Sequence, residues 1–440
     1  WLAAQSGQAD IVLGTRLAVF APLPDVGLVI VDEEHDSSFK QQEGVRYSAR
    51  DLAVFRASRA NVPIVLGSAT PSLESYVQTR TGRYALIELP LRARAGAALP
   101  AVRMVDVRNV KAENGISPAL AEAIDARLSR GEQSLIFLNR RGYAPVLACG
   151  ACAWVGGCPR CTAHLVVHMK EGRLRCHHCG HAAPIPRHCP QCGNVDLLPF
   201  GRGTQRLEEI IASEFPTARA LRIDSDSTRN KGSWEAMHAR ISAGEVDLLI
   251  GTQMLAKGHD FPRLTLVGVL NTDAALLAPD YRAPERLFAQ LHQVAGRAGR
   301  ADLPGEVLIQ TRYPTHPLYD ALARHDYKGF ADTLLAEREL AGFPPFIYEA
   351  VLRAESRDLA SALSFLVQAQ RMAAPDEVVR LYDPVAMSLP RLNGWERAQL
   401  LLQSQSRPAL QRFLRRWMDQ LYTMKSGPVR WHLDVDPIEF

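Results

Sequence analysis

The amino-acid sequence predicts an α/β protein with two layered α/β units, a cysteine-rich insertion in the second, and a small α+β domain at the carboxyl end. Three observations carry this prediction. Short apolar runs at 28–31, 62–66, 134–138, 246–250, 264–270 and 306–310 are separated by helical or loop segments, as in parallel sheets covered by helices. All eight Cys lie between 149 and 192. From about residue 314 the pattern shifts to amphipathic helices flanking strand-like runs.

Taken in order, residues 1–89 read as part of one α/β layer, with strands expected at 11–13, 28–31 and 62–66. The run at 28–31 reads as a buried parallel strand ending in Asp32-Glu33-Glu34-His35, and the run at 62–66 ends in Gly67-Ser68-Ala69-Thr70. Carboxylates at the carboxyl end of such a strand lie where open α/β sheets bind ligands. Asp32 is of the hard-oxygen type that Mg²⁺ prefers, and Glu33 suits a general base that orients a hydrolytic water. Residues 90–114, rich in Ala, Arg, Gly and Pro, read as a connector whose Arg92, Arg94, Arg103 and Arg108 form either a basic track or a solvated face.

The second unit comprises 115–148 and 196–313. Ser117-Pro118 is a helix start, and Leu120, Ile124 and Leu128 then share one face. A helix is expected at 207–215. The segment Gln293-Val-Ala-Gly-Arg297-Ala-Gly-Arg300 places two guanidiniums three positions apart, with glycines allowing close approach, an arrangement suited to a γ-phosphate. Gly251 through Asp260, with Lys257 and Gly258, follows the strand at 246–250 and suits a nucleic-acid backbone. The last domain, 314–440, carries helices at 334–340, 359–372 and 408–421.

The insertion, 149–195, contains Cys149-x-x-Cys152, Cys158-x-x-Cys161, Cys176-x-x-Cys179 and Cys189-x-x-Cys192. Eight thiolates suffice for two structural, tetrahedral Zn²⁺ sites. Pro159, Gly180, Pro190 and Gly193 supply the turns. Pairing does not follow from spacing alone; the short loop between the second and third pairs favours an inner site, leaving the outer pairs to close another. The nearby His164, His168, His177, His178, His181 and His188 are expected around the thiolates rather than among the ligands.

Composition narrows the classes. Lys plus Arg exceeds Asp plus Glu by 51 to 47, a balance compatible with nucleic acid without arguing for it. No run of eighteen apolar residues exists, so no membrane span is expected. Clustered rather than dispersed Cys, without a signal peptide, points to a reducing cytoplasm. The chain opens on Trp1-Leu-Ala-Ala, helix-like and without Met, and is expected to be a fragment of a longer protein.

In their order, Asp-Glu-Glu-His, Gly-Ser-Ala-Thr, Gly-Thr-Gln-Met-Leu-Ala-Lys-Gly-His and Gln-Val-Ala-Gly-Arg-Ala-Gly-Arg resemble motifs II, III, V and VI of superfamily 2 helicases. With four Cys pairs in the second unit, residues 32–43, Leu138-Asn-Arg-Arg-Gly142 and the terminal Asp434-Val-Asp-Pro437, the whole chain resembles the PriA family of replication-restart helicases. The resemblance implies two RecA-like lobes, the first incomplete, and a nested pairing of the Cys pairs. It further implies a 3′-to-5′ DNA helicase using ATP with Mg²⁺ at abandoned forks. Its partners would be forked or single-stranded DNA, primosome proteins and single-stranded DNA-binding protein. The family's loop after motif II is aromatic-rich; here Phe39 and Tyr47 would stack on bases or else serve packing, and Val45 stands where a Trp is expected. No Gly-x-x-x-x-Gly-Lys-Ser/Thr occurs, so the fragment alone is expected not to hydrolyse ATP. The competing expectation is a DNA-bound zinc scaffold that recruits primosome proteins without hydrolysis.

Overall fold

The computed structural model describes all residues except 91–98, 111–114, 139–145, 160–163, 169–171, 177–179, 200–204, 224–231, 252–260, 300–302, 375, 393, 425–426 and 440. The chain forms two compact units, Leu86–Leu334 and, together, Trp1–Ala85 with Leu335–Phe440.

In Leu86–Leu334 a six-stranded parallel sheet runs in the order Ala220–Ile223, Leu248–Gly251, Gln133–Leu138, Leu264–Leu270, Glu306–Thr311, Ala101–Asp106. Its central strands Gln133–Leu138 and Leu264–Leu270 are buried at every position, as expected of a sheet covered on both faces. The helix Pro118–Ser129 starts at Ser117, whose hydroxyl accepts from the Leu120 amide, a cap worth about 1 kcal/mol. Leu120 and Ile124 then meet Ile136, Leu138, Leu266 and Leu308 in the core. Each such side chain contributes roughly 1.5–3 kcal/mol on leaving water. The strand Ala101–Asp106 lies inside the stretch read as connector. It is an edge strand with Val102 alone buried, so it lacks the apolar run by which inner strands announce themselves.

The Cys-rich insertion sits between Gln133–Leu138 and the helix Gln205–Glu214. It contains a two-stranded antiparallel pair, Leu147–Cys149 with Leu197–Pro199. A three-stranded antiparallel sheet follows, built from Val166–His168, Arg173–Arg175 and Ala182–Pro184.

In the other unit, Val29–Val31 pairs in parallel with Ile64–Leu66. This strand is shorter and less buried than expected, because Leu28 and Ile30 are 51% and 65% exposed. The strand expected at 11–13 does not form: Ile11 and Leu13 are 86% and 97% exposed and pair with no strand among the described residues. Without a hydrogen-bonded neighbour, an apolar tripeptide has no ladder to join.

The carboxyl-terminal part is an antiparallel sheet in the order Val379–Leu381, Trp395–Ser404, Tyr348–Ser356, Arg430–Val435, with Val385–Leu392 also on Trp395–Ser404. Alternate residues Ala350, Leu352, Ala398, Leu400 and Leu402 pack against the helices Leu359–Met372 and Arg407–Thr423. From the same unit, Lys40 pairs with Asp434 at 2.9 Å, both nearly buried. No helix among the described residues is long and apolar enough to cross a membrane.

Candidate functional site

The acidic strand tip is a closed, hydrogen-bonded junction. The Gly67 amide donates to the Val31 carbonyl at 2.8 Å, and the Glu34 amide donates to the Gly67 carbonyl at 3.0 Å. These bonds lay Asp32-Glu33-Glu34-His35 alongside Gly67-Ser68-Ala69-Thr70 at the carboxyl ends of two parallel strands. Asp32 is exposed, and its Oδ1 accepts from the Glu33 amide at 3.0 Å. Glu33 has φ +48°, a left-handed backbone that a non-glycine residue holds only when its surroundings enforce it. Its carboxylate is half exposed, with Oε2 3.6 Å from His35 Nδ1. His35 Nδ1 also lies 2.7 Å from Ser68 Oγ, which accepts from the Thr70 amide at 3.0 Å.

Glu34 takes a different position. It is 2% exposed. One carboxylate oxygen accepts from the Ser72 amide at 2.6 Å; the other accepts from Ser72 Oγ at 3.0 Å, Ser75 Oγ at 2.8 Å and Arg50 Nη1 at 3.3 Å. Ser72 caps the helix Leu73–Arg80, and Arg50 lies in the first turn of the helix Ala49–Ala60. Burial opposes the charge on Arg50, yet Asp51 and Glu34 hold its guanidinium more firmly protonated than usual. No sequence pattern singles out Glu34, Ser72, Ser75 and Arg50 as functional residues. The one signal available was a Ser-x-x-Ser start to the helix after Thr70, which says nothing about a carboxylate 38 positions earlier.

The loop after this tip is closed at its base. Lys40 and Ser48 form an antiparallel bridge, and the Gln41 amide donates to the Tyr47 carbonyl at 2.8 Å. Tyr47 packs edge-on against Phe20 with centroids 5.0 Å apart. Phe39 is half-buried and Val45 is 82% exposed.

In the other unit, Gln293 is on the last turn of the helix Ala283–Ala295. Arg297 follows in a tight turn and is only 6% exposed. Gly299 (φ +66°) donates its amide to the Leu264 carbonyl at 3.0 Å, and a Cβ there would come within 2.4 Å of the Gly305 nitrogen. Glycine is therefore required where this turn meets the start of the strand Leu264–Leu270. Arg300, Lys257 and the rest of 252–260 lie outside the described residues.

The structure brings Cys149, Cys152, Cys189 and Cys192 together, with all four Sγ atoms within 4.8 Å of one another. Cys149 and Cys192 Sγ are 3.7 Å apart, and Cys152 and Cys189 Sγ are 3.6 Å apart. A tetrahedron with Zn–S bonds of about 2.3 Å has S–S edges near 3.8 Å, so this set fits one zinc ion. The Cys152 amide is the main influence lowering the Cys149 thiol, to about 7. At Cys152 the Trp154 amide acts downward, but burial and the neighbouring sulfurs push the thiol up to about 12. Four thiolates so close repel one another, and a dication at their centre removes that repulsion.

The knuckles repeat one backbone pattern. The amides of Cys149, Cys176 and Cys189 donate to the carbonyls of Trp154, His181 and Asn194, and those of Ala153, Gly180 and Gly193 donate back to the same three cysteines. Each returning residue has positive φ: +60°, +74° and +75°. Cys158 and Cys176 are buried in one cluster with Leu147, Leu165 and Leu174, whereas Cys161 and Cys179 lie outside the described residues. His164 is partly buried within the insertion, and burial, with His316 nearby, lowers its pKa.

Comparison with known proteins matches residues 339–438 to the Primosomal protein N C-terminal domain, 158–184 to the PriA DNA helicase Cys-rich region domain, and 194–302 to the Helicase conserved C-terminal domain. The chain is similar to the replication restart protein PriA of Rickettsia conorii, 36% identical over 99% of this chain and 67% of that protein. The chain belongs to the PriA family. Within the family, the Haemophilus influenzae protein is 45% identical over 99% of this chain. The Bacillus subtilis protein is 42% identical over 82% of it. The chain spans 60% and 45% of the lengths of these two relatives.

Proposed function

We propose that this chain carries hydrolytic and DNA-engaging parts of an ATP-dependent 3′-to-5′ DNA helicase of replication restart, acting at abandoned forks with primosome proteins and single-stranded DNA-binding protein in a reducing cytoplasm. The observation that carries the reading is the junction of the acidic tip with Gly67 through Thr70, joined by His35 and Ser68 at 2.7 Å. Asp32 offers an exposed carboxylate at the strand tip, the hard-oxygen donor that suits Mg²⁺, directly or through water. Mg²⁺ bound there with ATP would neutralise charge on the phosphates. Glu33, turned out by its left-handed backbone, orients and deprotonates the attacking water. His35 and Ser68 report the state of that tip to the segment leading into the helix Leu73–Arg80. Gln293, Arg297 and Arg300 contribute the groups that stabilise phosphoryl-transfer charge, while Lys257, Phe39 and Tyr47 contact DNA.

The insertion is a structural zinc module. One ion belongs to Cys149, Cys152, Cys189 and Cys192, and a second to Cys158, Cys161, Cys176 and Cys179. The knuckle pattern at Cys176, shared with the outer pairs, supports the second site. All four positions of each site are filled by thiolates, so neither ion has an open position for substrate.

The test is Glu33→Gln in the full-length protein, read as DNA-stimulated ATPase. The expected result is a loss of about 100-fold or more with DNA binding retained. Unimpaired replication restart by the variant would favour a scaffold without hydrolysis, whereas wild-type turnover would remove Glu33 from the water-orienting role. Because the 440 residues contain no phosphate loop, this chain alone is expected to show negligible turnover.

A further inference from the structure

Asp32 and Glu33 face outward, and something must hold the turn that carries them. Glu33 adopts φ +48°, a left-handed conformation that is strained for a residue with a Cβ. The next residue provides the restraint. Glu34 is almost completely buried and accepts four hydrogen bonds, from one backbone amide, two hydroxyls and one guanidinium. An ionised carboxylate is an acceptor-only group, and every one of these partners presents a hydrogen to it. Arg50 Nη1 also donates to Ser72 Oγ at 2.7 Å, so the three side chains close into one network.

The partners come from two places that matter for the proposed chemistry. Ser72 and Ser75 start the helix that follows Gly67 through Thr70. Arg50 starts the helix whose amino-terminal cap, Ser48, is the base of the Phe39–Tyr47 loop through its bridge to Lys40. Glu34 is thus the point at which the strand tip, the segment after the second strand, and the loop's exit are bonded to one carboxylate.

We infer that Glu34 is a positioning residue: it fixes the backbone of Glu33 and relays the placement of the Phe39–Tyr47 loop to the water-orienting carboxylate. The inference rests on the hydrolytic reading of Glu33. It predicts an effect on turnover rather than on substrate binding, because Glu34 reaches neither solvent nor the exposed carboxylates.

The experiment uses the full-length protein and compares wild type, Glu34→Gln and Ser75→Ala for ATPase activity over ranges of ATP and single-stranded DNA. Glutamine puts an N–H₂ where an oxygen now receives Arg50 and two serine hydroxyls, or else faces the Ser72 amide. DNA-stimulated kcat is expected to fall about 10- to 100-fold in Glu34→Gln, the scale of a displacement near 1 Å at a reacting group. KM for ATP and the DNA affinity should stay within about twofold. Ser75→Ala, which removes one of the four bonds, should lower kcat by a smaller factor with an unchanged melting temperature. If Glu34→Gln keeps wild-type kcat, the inference is overturned and the hydrolytic reading stands. Equal losses in kcat, ATP KM and melting temperature, with Ser75→Ala at wild-type kcat, would also overturn it by making Glu34 a folding residue only. Absence of DNA-stimulated ATPase in the wild type overturns the hydrolytic reading itself.

Discussion

The acidic strand tip and the outer cysteine quartet both gather like-charged groups from short sequence motifs, and they do so by opposite means. At the tip, protein donors absorb the charge: Glu34 is met by an amide, two hydroxyls and Arg50, and Asp32 by the Glu33 amide. In the quartet the amides of Cys152 and Ala151 favour ionisation of Cys149, but the sulfurs of Cys152 and its neighbours lie against one another. The first site is preorganised by hydrogen bonds and should keep its shape without a ligand. The second depends on a metal ion for its cohesion.

The largest expected effect breaks the comparison at the metal side. Cys152→Ser in the full-length protein should lower zinc content by one ion per chain, as measured by atomic absorption. Structural zinc commonly supplies on the order of 10 kcal/mol to small domains, so amides in 149–157 and 189–197 should lose most of their protection from hydrogen exchange. A variant with the wild-type zinc content and intact protection would show that the quartet holds no zinc.

Asp32→Asn probes the tip. It should reduce DNA-stimulated ATPase by about 100-fold, which corresponds to roughly 3 kcal/mol, while leaving the melting temperature within about 2 °C. A large loss of stability would show that the tip, like the quartet, needs its bound ion to fold.

A smaller effect concerns the loop's support on the carboxyl-terminal sheet. Burial, with Arg46 and Arg353 nearby, pushes His432 down to about 4 from an ordinary 6.5. The native state therefore favours the neutral ring, and the unfolded state binds more protons between the two values. Stability from this group is complete above about pH 6.5 and is lost as pH falls toward 4. Discounted for the partial exposure of the ring, the contribution is about 1 kcal/mol. His432→Gln should shrink the difference in urea midpoint between pH 7.5 and pH 5; an unchanged difference would show that other groups set the acid response.

The smallest is Ser68→Ala. Losing the partner of His35 should cost about 1 kcal/mol at most in stability and mainly weaken the response of ATPase to DNA. A drop in basal turnover as deep as that of Asp32→Asn would mean that Ser68 belongs to the tip itself.

Much of this was legible in the sequence where a local pattern suffices. The strand Leu264–Leu270 is an unbroken apolar run and forms at those residues, and Ser117 caps its helix as its type and its neighbour Pro118 require. The outer Cys pairs meet, as a nested pairing implies. Edges were harder. Ala101–Asp106 has one buried side chain and is hidden among residues of connector composition, while Ile11 and Leu13 are apolar without a strand to join. The role of Glu34 was illegible for a further reason: its partners lie 16, 38 and 41 positions away, and only the parallel pairing of Val29–Val31 with Ile64–Leu66 brings most of them near.

Most depends on the proposal that Glu33 and Arg297 both serve ATP hydrolysis. A double-mutant cycle in the full-length protein tests it most directly, with DNA-stimulated kcat measured for Glu33→Gln, Arg297→Lys and the two combined. If both groups serve the same transition state, the double variant should be about as slow as the slower single one. Losses that multiply would contradict the claim and assign the two motifs to separate steps.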